Sequence, residues 1–144
     1  MSPAPLPAAD EPISDEETLL QADPRLWQAV AQFNDADWYA CHDGFEELWH
    51  ETQGPMRPVL QGLLQIAVAE LHLERANRRG ATVLMGEGLG RLRRCDDQSL
   101  GLSLAPLRAV ASERLGGLQA GADLASLPLP RLELARDAGR APVH

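Results

Sequence analysis

Apolar and polar positions follow helical spacing along most of the chain, and proline, glycine and capping residues separate about five segments. Residues 1–13 are rich in proline and alanine and read as a disordered tail. Asp10, Glu11, Asp15, Glu16 and Glu17 around its end suit a solvated lead-in. A first helix is expected from Pro24, capped by Asp23, to about Phe33. Asn34, Asp35 and Asp37 gather as capping residues before a second helix, DWYACHDGFEELWHE, which runs to about Thr52 and is broken by Gly54-Pro55. A third helix, from about Arg57 to Arg75, is apolar nearly all round and therefore central. Asn77 caps a fourth, from about Arg78 to Cys95, in which Gly86, Gly88 and Gly90 point to close packing against a neighbour. A fifth, PLRAVASERLGGLQ, should end at Gly116-Gly117 or slightly later. LPLPRLEL is extended or a short last helix, and ARDAGRAPVH should fray. There is no useful β-alternation and no internal repeat. The architecture expected is all-α: one bundle of about five helices over 14–135, with tails at 1–13 and 136–144.

Two helix faces carry the candidate chemistry. At about 100° per residue, with His42 at zero, Glu46 falls at about 40°, Trp49 at about 340°, Phe45 at about 300° and Trp38 at about 320°. The histidine and glutamate thus sit inside an aromatic stripe expected to face the core. Glu47 points away, and Asp43 and His50 lie on the boundary. On the third helix, with Gln65 at zero, Gln61 falls at about 320°, Val68 at about 300° and His72 at about 340°. Helices joined by so short a turn pack as antiparallel neighbours. Buried polar groups need partners, because leaving one unpaired costs about 1–3 kcal/mol. The stripes should therefore face each other, joining His42 and Glu46 to Gln61, Gln65 and His72 in one buried polar cluster.

Such a cluster has three readings on residue chemistry. It can be a hydrogen-bond network that fixes helix register. It can be a metal site, with His42 and Glu46 gripping one ion from a single helix face and His72 adding a third ligand. It can also be a metal-free acid/base site, with the Glu46 pKa raised by burial and His42 its partner. HxxxE is less specific than HExxH, in which two imidazoles and a base are fixed together.

FNDADWYACHDGFEELW, followed by LQGLLQIAVAELHLERANRRGA, resembles the bacterial and archaeal family called domain of unknown function 309, over roughly positions 30–95. The resemblance implies an all-helical fold and an H-x-x-x-E-x-x-W/Y motif suspected of binding metal, here His42, Glu46 and Trp49. It assigns Gln61, Gln65, His72, Asn77 and Gly80 to the family's glutamine-rich helix and the turn after it. One departure is Asp43, where relatives usually carry glutamate. His50 is outside the family pattern and reads as a surface residue. The resemblance implies no reaction. The leading expectation is a divalent metal (zinc, iron, manganese or nickel) on His42, Glu46 and His72, with Trp49, Gln61 and Gln65 around it, and hydrolysis if a coordination position stays open. The alternatives are a non-catalytic helical scaffold and a module binding a small molecule through Trp38, Trp49 and the glutamines.

Composition narrows the partners. The formal net charge of −8 argues against a general nucleic-acid binder. All 13 basic residues are arginine, and Arg75, Arg78, Arg79, Arg91, Arg93 and Arg94 cluster in sequence as a solvated face or an anion-binding patch. Cys41 and Cys95 form no disulfide framework and read as small buried hydrophobes. Adjacent helix positions diverge by about 100°, so Cys41 is not paired with His42. No apolar run is membrane-spanning and no secretory signal is visible, so a cytoplasmic location is expected. The apolar and glycine-lined helices would allow a homodimer.

Overall fold

The computed structural model describes residues 14–135, so both expected tails lie outside the described residues. Six helices make up most of it: α1 (Asp15–Gln21), α2 (Pro24–Asn34), α3 (Trp38–Glu51), α4 (Arg57–Glu74), α5 (Arg78–Leu92) and α6 (Ala105–Gln119). The strands β1 (Gln98–Ser99), β2 (Leu102–Ser103) and β3 (Glu133–Leu134) form a small antiparallel sheet in the order β1-β2-β3. The fold is all-α in class, with one helix more than the pattern predicts and a sheet it does not predict.

Local chemistry sets most helix starts. The Asp23 carboxylate accepts from the Arg25 backbone amide, with Pro24 in the first turn of α2. Asp37 caps α3 and Asn77 caps α5 in the same way. At α1, Ser14 Oγ accepts from Glu17 N at 3.1 Å. The acidic lead-in is therefore helical, and it is tied down: the Glu16 carboxylate accepts from Gly54 N (2.7 Å) and Met56 N (2.8 Å), holding the turn between α3 and α4. Glu17 Oε2 accepts from Leu100 N at 2.7 Å in the tight turn between β1 and β2.

The core is continuous. Phe33 packs edge-on to Trp38 and Phe45 (centroids 5.1 and 6.3 Å), and Leu60, Leu63 and Ile66 of α4 join Met85 and Leu89 of α5 in full burial. Only one of the three glycines at 86, 88 and 90 lets these two helices approach. A Cβ on Gly88 would stand 3.0 Å from the Gly62 carbonyl and 2.9 Å from Ile66, whereas Gly90 faces open space. Helix α6 passes through Gly116-Gly117 and stops at Gly121 (φ +70°), where Ala122 N donates to the Gly117 carbonyl in a left-handed C-terminal cap.

Candidate functional site

The second half of the expectation, facing polar stripes on α3 and α4, has a definite geometry. His42 and Glu46 stand one turn apart on α3, with His42 Nε2 3.0 Å from Glu46 Oε1. The other ring nitrogen, Nδ1, is 3.2 Å from Asp43 Oδ1. That contact lacks hydrogen-bond alignment, so Nδ1 is a buried polar atom without a hydrogen-bond partner. The remaining Glu46 oxygen lies 3.6 Å from Nε2 of the exposed His50. His42, Asp43 and Glu46 can each present one ligand atom within 4.8 Å of the others.

His42 and Glu46 border a cleft of about 220 Å³ lined also by Trp49 of α3, Gln61, Leu64, Gln65 and Val68 of α4, and Leu84 of α5. The cluster is not sealed. The His42 side chain is 29% exposed and that of Glu46 39%, so "half-buried" replaces the buried cluster that the helix angles predicted. The aromatic stripe splits: Phe45 and Trp38 are in the core, while Trp49 borders the cleft. Trp49 is fixed by Arg57, whose guanidinium sits 4.1 Å above the ring and donates to the Trp49 and Thr52 carbonyls at 3.0 Å. The indole Nε1 is buried without an acceptor.

The polar residues of α4 divide. Gln65 is committed to α5: its Oε1 accepts from Arg91 Nε at 2.9 Å and its Nε2 donates to Glu87 Oε1 at 3.0 Å. Gln61 lines the cleft beside Glu46 and Trp49. His72 is not brought to the cleft; its Nδ1 pairs with Asn77 Nδ2 at 3.2 Å. Two antiparallel helices advance about 1.5 Å per residue in opposite directions, so positions near Gln65 and Val68 come level with His42 and His72 falls about one turn beyond. A shared angular face does not imply a shared height. The third potential ligand in the structure is Asp43, from the same helix.

Sequence reasoning overlooked a second polar pair. Arg114 of α6 forms a fork with Glu70 of α4 (Nε–Oε2 2.6 Å, Nη2–Oε1 2.7 Å), and both side chains are sealed from solvent. Arg114 Nη1 also donates to the Pro128 carbonyl at 3.0 Å. Burial pushes the Glu70 carboxyl above its ordinary range against the pull of Arg114. Burial also pushes the Cys41 thiol up to about 12 and raises that of Cys95, so neither offers a thiolate at neutral pH. Among the described residues, no helix is long and apolar enough to cross a membrane.

The protein is a small helical bundle with an acid–imidazole cleft between its central hairpin helices. Residues 26–84 match the family described as domain of unknown function (DUF309). The matched span contains α3, α4 and every residue that lines the cleft. No curated protein matches the chain.

Proposed function

We propose that the cleft binds a divalent metal ion through His42 and Glu46, with the Asp43 carboxylate as the third ligand group. The observation that carries this reading is the imidazole flanked by two carboxylates, three ligand groups within 4.8 Å, at the edge of an accessible cleft. The donor set fits an ion. Two carboxylates and one imidazole suit borderline divalent metals such as zinc, iron, manganese or nickel. The orphaned Nδ1 shows that protein groups alone leave His42 incompletely satisfied. When bound with an open position, such an ion lowers the pKa of a coordinated water toward about 7 and supports hydrolysis.

The chain's own residues account for the rest. Arg57 fixes Trp49 as one wall, Gln61 offers an amide donor and acceptor inside the cleft, and Gln65 serves as a tie between α4 and α5. Elemental analysis of untagged protein is the test. Close to one equivalent of transition metal is expected, lost in His42→Ala and reduced in Glu46→Gln. Less than about a tenth of an equivalent, with no uptake on titration, would leave a scaffold or a metal-free small-molecule cleft.

A further inference from the structure

We infer that a second cavity, between the start of α4 and the end of α5, binds a small organic oxyanion with an apolar body. This cavity has a volume of about 330 Å³ and does not share its lining with the His42 cleft. One wall is apolar, built by Met56, Pro58 and Val59. The lining also includes Arg91, Arg94 and Ser99.

The arginines are the informative part. Arg25, Arg108 and Arg114 each pair with carboxylates, yet among the described residues neither Arg91 nor Arg94 forms an ion pair. Arg91 gives only its Nε to Gln65, so its two Nη groups have no hydrogen-bond partner among the described residues. Asp96 also lines the cavity but lies beyond ion-pair distance of either guanidinium. In a chain with a net charge of −8, two unpaired guanidinium groups lining one concave surface form a local reversal of sign. Guanidinium groups recognise carboxylate and phosphate oxygens through paired N–H donors. The apolar wall adds a requirement that a bare inorganic ion does not meet, and the volume is at the small end of ligand sites. The ligand class is therefore a carboxylate or phosphate ester on a compact apolar body. The Arg91–Gln65 hydrogen bond links this cavity's lining to that of the His42 cleft.

Titration of the full ¹⁵N-labelled chain, with chelator present so that metal at His42 plays no part, tests this. Benzoate, phenyl phosphate, benzyl alcohol and inorganic phosphate serve as probes. At least one aromatic oxyanion should shift the Val59 and Ser99 amides saturably, and benzyl alcohol and inorganic phosphate should bind roughly tenfold more weakly or not at all. Benzoate and phenyl phosphate together show which oxyanion is preferred. Arg94→Gln should weaken binding about tenfold while leaving the melting temperature of the free protein unchanged, because Arg94 is exposed. Three results would overturn the inference: no saturation below about 10 mM, equal binding by the Arg91→Gln/Arg94→Gln double variant, or shifts confined to Glu46 and Gln61.

Discussion

Two acid–base pairs meet α4, and the fold treats them differently. Glu70 and Arg114 are sealed, doubly hydrogen-bonded and supplemented by a backbone carbonyl, so little donor capacity is left over. His42 and Glu46 are half-exposed, approach each other at 3.0 Å and leave Nδ1 without a hydrogen-bond partner. The first arrangement has the features of a structural tie between α4 and α6. The second retains unmet bonding capacity beside open space, which a purely structural pair has no need to keep. Polar residues in a bundle are thus sorted less by their type than by whether their neighbours have used them up.

Breaking the sealed pair should have the largest effect. Glu70→Gln or Arg114→Met leaves a buried charge uncompensated and should cost about 3–5 kcal/mol in urea denaturation. The Glu70→Met/Arg114→Met double variant should recover most of that loss. If the single variants cost less than about 1 kcal/mol, the pair is not the tie it resembles.

The same treatment of the open pair should give a different answer. His42→Phe/Glu46→Leu, measured without metal, should change stability by no more than about 1 kcal/mol, since both side chains reach solvent. It should also abolish metal uptake. A loss as large as that at Glu70 would erase the distinction. Trp49→Phe deletes the orphaned N–H but also shrinks the ring beneath Arg57, so the two effects should offset to within about 1 kcal/mol.

An exposed cluster gives the bottom of the scale. Arg25 pairs with Asp23 and Glu51, each at 2.8 Å, and holds both carboxyls below their ordinary values. Because these pKa values are depressed on folding, the contribution is present at neutral pH and fades as pH falls through the carboxylate range near about 4. Arg25→Gln should therefore lower stability slightly at pH 7 and leave it unchanged well below the carboxylate range, a difference that thermal melts at the two pH values can read.

Much of this architecture was legible because it is local. Asp23-Pro24, Asp37, Asn77 and Gly54-Pro55 act within one turn of their own positions, and the structure uses each where the pattern places it. The α3 and α4 stripes were legible for the same reason, and of the six site residues expected from them (His42, Glu46, Trp49, Gln61, Gln65 and His72) all but His72 line one cleft. His72 was misplaced because helix angle carries no information about height along the partner helix. Glu70 and Arg114, 44 positions apart, look individually like surface charges, and only the tertiary fold, with α6 packed on α5, brings them together. Helix α1 did leave a signal, Ser14 followed three residues later by Glu17, but seven residues are too few to establish an apolar period. The strands are two residues each, too short for alternation to register.

The Glu16 clamp has a practical consequence for anyone trimming this protein. The two amides it satisfies, at Gly54 and Met56, belong to the family-matched segment, while Glu16 itself lies outside it. The hinge of the hairpin that forms the cleft is thus secured by an accessory piece of chain. A minimal fragment beginning at residue 26 would keep every cleft-lining side chain yet leave that hinge unfastened. Boundaries drawn from family similarity alone would then yield a domain whose walls are all present but no longer held in register.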